Sequence, residues 1–89
     1  MMKTIYTILV DETRRLDENT MTTLYGTAYS TLDAAVKDME FIYSQLKKAR
    51  GYWEVQIVKP EGSEGEMTVS AESKEFSKTE FSIVQLYLD

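Results

Sequence analysis

The chain has 89 residues, a net charge of −5, and neither cysteine nor histidine. This length fits one domain spanning residues 1–89, and ordinary apolar (43%) and charged (28%) contents argue against disorder. The lack of cysteine excludes disulfides and thiolate metal sites, and for so small a domain it favours a cytoplasmic location. An acidic chain repels phosphate backbones, which disfavours direct nucleic-acid binding.

The N-terminal third predicts two strands. Residues 3–10 are rich in β-branched and aromatic side chains and predict a first strand. We do not interpret them as a signal peptide, because the apolar run is short and Thr7 interrupts it. Residues 21–29 predict a second strand, which a polar loop over residues 11–20 joins to the first. No segment reaches the roughly 20 apolar residues that a membrane span requires.

A long amphipathic helix is predicted over residues 31–50. Ser30 is a candidate N-cap, and Gly51 is placed where a helix commonly ends in a left-handed residue. The basic residues near the end of this segment suit the helix dipole. Steps of three and four residues place one apolar stripe on the helix, made of Leu32, Ala35, Val36, Met39, Ile42, Tyr43, Leu46 and Ala49.

The C-terminal half predicts three further strands, over residues 52–59, 67–71 and 81–88. The element order is therefore β-β-α-β-β-β. It predicts an α+β fold, in which one long helix lies on one face of an antiparallel sheet of four to five short strands. Two possibilities stay open for residues 61–80, which can form either a paired hairpin or a loop.

The predicted strands carry apolar residues on both faces, although a solvated sheet face is usually polar. Trp53, Val55 and Ile57 alternate with polar residues, so we assign them to the helix face. The residues assigned with them are Ile5, Leu9, Leu24, Gly26, Ala28, Val84, Leu86 and Leu88. Ile8, Val10 and Ile83 fall on the opposite face with a group of aromatic residues. That group is the candidate interaction face: Tyr6, Tyr25, Tyr29, Tyr52, Phe81 and Tyr87.

An apolar face of this size is seldom left exposed on a monomer, and tyrosine is enriched at interfaces. The chain can dimerise through the face, a different protein can bind it, or residues 61–80 can fold over it with Phe76 as an anchor. Our leading hypothesis is a non-enzymatic protein-interaction or regulatory module, with a protein partner or itself as the ligand. A homodimer is the favoured form.

Acidic residues concentrate in the C-terminal half and form a candidate acidic surface. Its members are Glu61, Glu64, Glu66, Glu72 and Glu75. Such acids commonly serve solubility alone. The alternative hypothesis is an inhibitor of the phage or mobile-element type, which mimics nucleic acid and blocks a basic nucleic-acid-binding protein.

The sequence offers little for catalysis, because it lacks the commonest general base and the strongest nucleophile. It has no glycine loop with phosphate-binding spacing. We therefore predict no enzyme activity, no catalytic residue, no cofactor and no metal site. A small enzyme or ligand-binding protein with a carboxylate site is the third possibility. The carboxylates nearest to a cation-binding pattern are Asp11, Glu12, Asp17 and Glu18, but two arginines lie among them.

Overall fold

The computed structural model describes residues 3–88 and contains one antiparallel five-stranded sheet with one helix. In chain order the elements are β1 (Lys3–Arg14), β2 (Thr20–Tyr29), α1 (Leu32–Lys48), β3 (Tyr52–Val58), a short 3-10 helix (Glu64–Glu66), β4 (Thr68–Ser73) and β5 (Phe76–Leu88). The spatial order of the strands is β2-β1-β5-β4-β3. The predicted α+β class and the element order β-β-α-β-β-β are confirmed. In the described part of the chain, no helix is long and apolar enough to cross a membrane.

The helix begins one residue later than expected. Thr31 is the N-cap instead of Ser30, and its Oγ1 accepts a hydrogen bond from the backbone N–H of Ala34 at 3.2 Å. At the other end, Ala49 is the C-cap and has an extended backbone. The helix therefore does not end in the left-handed glycine that was expected at Gly51. Both ends therefore lie within two residues of the prediction, but different residues cap them.

The predicted stripe of α1 packs on the sheet. Its buried members are Ala35, Met39, Ile42 and Leu46, and Leu32, Val36 and Tyr43 pack beside them. The other half of the core comes from Met67, just before β4, and from the sheet, which contributes Ile8, Val10, Val69, Ala71, Phe81 and Ile83. Burial of this apolar surface is the main force that holds helix and sheet together.

Two hairpins have longer strands and shorter turns than the sequence suggested. The backbone N–H of Arg14 donates to the carbonyl of Asn19 at 2.8 Å, and half of the expected loop over 11–20 is strand. Glu18 has a left-handed backbone (φ 59°), as the turn requires. Residues 68–88 form a second hairpin that turns at Lys74 and Glu75. Much of the region 61–80 is therefore paired in the sheet and does not fold over either face.

The two faces of the sheet are reversed in β1, β2 and β5 relative to the expectation. Tyr6, Tyr25 and Tyr29 pack against the core beneath α1, together with the buried Phe81. The cause is the pairing of β4 with β5. The outward residues of β4 are all polar (Thr68, Ser70 and Glu72), so its apolar residues must face the helix, and Val69 pairs with Phe81.

Trp53 also departs from its expected face, whereas Val55 and Ile57 do pack against the core. The register of β3 against β4 shifts between Trp53 and Gln56, and Glu54 within this bulge has a left-handed backbone (φ 52°). A bulge adds a residue and breaks the alternation of side chains along the strand. Trp53 therefore shares the outer face with its partner Glu72.

A tyrosine–carboxylate hydrogen bond joins the end of β2 to the helix. The Tyr29 hydroxyl donates to Oδ2 of Asp38 at 2.5 Å. Burial raises the pKa of Tyr29 from 10.0 to about 12, and the hydrogen bond and negative charge of Asp38 act in the same direction. The folded chain therefore holds this proton more tightly than the unfolded chain.

We expect this difference to make stability depend on pH in the alkaline range. Below pH 10 both states keep the Tyr29 proton, and between pH 10 and about 12 only the unfolded state releases it. The free energy of unfolding should fall across that window in the wild type and fall less in Tyr29→Phe. Denaturant titrations at a series of pH values measure this. Tyr87→Phe, at an exposed tyrosine, should behave like the wild type, and an equal fall in Tyr29→Phe would contradict the assignment.

Candidate interaction surface

The face of the sheet that points away from α1 is apolar over one half. We call this half the aliphatic surface, and it consists of Ile5, Leu9, Leu24, Val84, Leu86 and Leu88. Strand pairing makes it continuous, because Leu9 lies opposite Leu24 and Ile5 lies opposite Leu86. At its centre Val84 pairs with the buried Thr7.

Three of the four leucines of the aliphatic surface are strongly exposed, and Leu9 is half-buried. Leu24, Leu86 and Leu88 retain 65%, 42% and 46% of their accessible area. At strand spacings of about 4.8 Å and rises of about 3.3 Å per residue, three strands by six residues cover about 300 Å². Isolated exposed leucines are normal on proteins, but a contiguous group of this size often marks a binding site.

The other half of the open face is polar. Asp11 pairs with Glu80, and Gln56 pairs with Ser70, so one row of polar side chains crosses the sheet. The Thr22 hydroxyl donates to Asp11 at 2.5 Å, which anchors the carboxylate in this row. A shallow depression of about 210 Å³ lies beside the row. The open face is thus divided along the strand direction, with aliphatic residues at one end and charged residues at the other.

Arg15 contacts several other residues at the polar end of the sheet. Its Nη2 donates to the carbonyl of Ser73 at 3.0 Å and lies 3.5 Å from Oε1 of Glu72. Its guanidinium also lies 5.9 Å from the centre of the Trp53 ring. These contacts join the β1–β2 turn to the β4–β5 hairpin. The exposed tryptophan therefore has a structural partner, which accounts for its position.

The six aromatic residues of the candidate interaction face are divided by the structure. Tyr6, Tyr25, Tyr29 and Phe81 lie on the helix side, and Tyr25 meets Phe81 edge to face with ring centres 5.9 Å apart. Tyr52 and Tyr87 are exposed. These residues therefore do not form one open face, which corrects the expectation that they line an interface. The apolar side chains that do line the open face are the ones first assigned to the helix.

The five acids of the candidate acidic surface lie in two places. Glu61, Glu64 and Glu66 are exposed before β4, whereas Glu72 and Glu75 lie at its far end. The six residues of β4 separate the two groups by about 20 Å. Glu72 is also engaged by Arg15, so the five acids do not present one continuous negative surface. This placement gives less support to nucleic-acid mimicry.

The acids near the first turn are engaged locally. Asp17 accepts a hydrogen bond from the backbone N–H of Asn19 at 3.1 Å and lies 3.9 Å from Nε of Arg14. Asp11 lies on the open face of β1, and Glu12 lies on the opposite face. Within residues 3–88, no three acidic side chains converge in a group that could hold a metal ion.

Comparison with protein-family models, with curated proteins and with solved structures gives no match.

Proposed function

We propose that the chain is a non-enzymatic protein-interaction module that forms a homodimer through the aliphatic surface. The observation that carries the proposal is the continuous run of aliphatic side chains across three paired strands, with three leucines that keep 42–65% of their area exposed. Contact with a second copy would remove these side chains from water, which is the dominant favourable term in protein association.

The size of the open face supports a dimer. The five strands together present a face of about 700 Å², of which the aliphatic surface on β1, β2 and β5 makes up about 300 Å². A stable interface of standard size buries about 800 Å² on each partner. A polar row borders the aliphatic surface at one end, as polar groups border the dry centre of many interfaces.

The composition of the chain supports the non-enzymatic part of the proposal. Histidine and cysteine, which supply most general bases and the most reactive nucleophile, are both missing from the sequence. The lack of cysteine also supports a cytoplasmic location for the module.

The oligomeric state in solution tests the proposal. Sedimentation equilibrium of the wild type, from low to high micromolar concentration, should show a reversible rise from 10.3 kDa to twice that mass. Phe41→Asp changes an exposed apolar residue on α1, on the other side of the molecule, and should associate like the wild type. A wild type that stays at 10.3 kDa throughout would contradict the proposal.

A further inference from the structure

Two opposite charges lie at equal distances from the centre of the aliphatic surface. Lys3 and Asp11 are on the same face of β1, four residues before and four residues after Thr7. At about 3.3 Å per residue each lies about 13 Å from Thr7 along the strand. Among residues 3–88, neither Lys3 nor Asp11 forms an ion pair.

The apolar residues between these charges repeat the same symmetry. Ile5 and Leu9 lie two residues on either side of Thr7, and Thr7 pairs with Val84 on β5. A two-fold axis that crosses the strands at this pair would place Ile5 of one copy over Leu9 of the other, and Val84 over Val84. The same axis would place Lys3 over Asp11 twice, once at each end. From Lys3 to Asp11, each member of β1 on this face would then meet a side chain of matching chemistry.

We propose that two copies pack their open faces together about a two-fold axis at the Thr7–Val84 pair, with Lys3 of each copy paired with Asp11 of the other. This arrangement rests on the proposed homodimer and specifies its register. An isologous interface of this kind requires one surface to be complementary to itself, and along β1 the spacing of the charges about Thr7 meets that requirement. On β5 the same axis places Leu86 over Ser82 and Leu88 over Glu80.

The distances suit packed sheets. Two sheets that pack face to face lie about 10 Å apart, and the long aliphatic stem of a lysine can cross most of that gap. Such sheets cross at about −30°, which moves the end of one strand sideways by roughly one strand spacing. In one direction this shift brings the lysine toward Glu80, which lies beside Asp11 on the neighbouring strand and is paired with Lys78 at 3.1 Å.

The charges also distinguish the face-to-face register from other ways in which two copies could associate. Each copy carries a net charge of −5, so two copies repel one another unless opposite charges meet at the interface. A dimer that paired two edge strands, β2 or β3, would join the sheets side by side, and it would not stack Lys3 of one copy over Asp11 of the other. The face-to-face register therefore predicts a charge dependence that edge pairing does not.

A charge exchange at residues 3 and 11 tests the register. Sedimentation equilibrium would give the dissociation constants of wild type, Lys3→Glu, Asp11→Lys and the double variant. Each single change places like charges together at two symmetric contacts, and we expect it to weaken the dimer at least about tenfold. The double variant restores both pairs and the net charge, and it should return to within about threefold of the wild type. Lys37→Glu, on the exposed side of α1, changes the net charge equally and should have little effect.

The outcomes separate this register from the homodimer itself. Recovery in the double variant supports the pairing of Lys3 with Asp11. If the double variant binds no better than the weaker single variant, while Leu86→Asp still dissociates the dimer, the register is overturned and the proposed function stands. If the wild type is monomeric at every concentration, both proposals fail together.

Discussion

Replacement of Ile8 by alanine is expected to lower the free energy of unfolding by about 3 kcal/mol. Ile8 is fully buried at the centre of the core, where it pairs with Ile83 on β5 and with Tyr25 on β2. Truncation leaves a cavity that tightly packed neighbours fill only in part. Urea denaturation followed by circular dichroism measures the change, and Ile8→Val, which removes one methylene, should cost about 1 kcal/mol.

The neighbouring residue provides a matched control for the assignment of faces. Leu9→Ala removes a similar volume from the open side of the same strand, and it should cost only about 1 kcal/mol in the monomer. Both variants should be compared at a protein concentration low enough to keep the chain monomeric, because association adds to apparent stability. A larger loss at Leu9 than at Ile8 would mean that the helix covers the other face of the sheet.

Replacement of Leu86 by aspartate is expected to weaken the homodimer by at least about 100-fold. In the proposed dimer this side chain is buried twice, once in each copy. An unpaired carboxylate in that position would lose its water shell without gaining a partner, which costs several kcal/mol. The dissociation constant from sedimentation equilibrium gives the effect directly.

The Leu86→Asp chain must remain folded for this result to be meaningful. Leu86 lies on β5 beyond the last residue that pairs with β4, and 42% of it is exposed, so the monomer should lose no more than about 1 kcal/mol. Leu16→Asp makes the same chemical change at a turn residue that is 88% exposed, and it should leave association unchanged. Equal association of wild type and Leu86→Asp would exclude the aliphatic surface as the interface.

The helix was the element that the sequence predicted best, since its signal is local. The apolar stripe repeats over four turns, and Ala35, Met39, Ile42 and Leu46 are all buried as expected. The cap moved by one residue because Ser30 and Thr31 are both good N-caps, and only backbone geometry chooses between them. Strand order and the extension of β1 to Arg14 depend on contacts with distant strands, which the local pattern does not contain.

The reversal of the faces arose because the expected assignment began at β3, whose register against the other strands the sequence does not give. Val55 and Ile57 do face the helix, and the bulge at Glu54 displaces only Trp53. A better starting point was β4, where Val69 and Ala71 alternate with purely polar residues and so determine the buried side. Recognition of the β4–β5 hairpin would then have linked Val69 to Phe81 and fixed the rest of the sheet.

The candidate site was predicted in part. The sequence showed that both faces of the sheet carry apolar residues, and this surplus remains in the structure. The sequence could not decide which of the two apolar faces is covered by the helix, since Ile5 and Leu9 on one face are as hydrophobic as Ile8 and Val10 on the other. The dispersal of the acids could not be foreseen either, because Glu72 and Glu66 are close in sequence but lie at opposite ends of a strand.

The most direct test of the homodimer is a search for contacts between two copies in solution. Isotope-filtered nuclear Overhauser spectra of an equimolar mixture of labelled and unlabelled chains detect only contacts between copies. We predict signals between the methyl groups of Ile5 and Leu9 and from Val84 to Val84. Spectra without signals between copies at the highest soluble concentration, or with signals only from helix residues such as Phe41, would contradict association through the aliphatic surface.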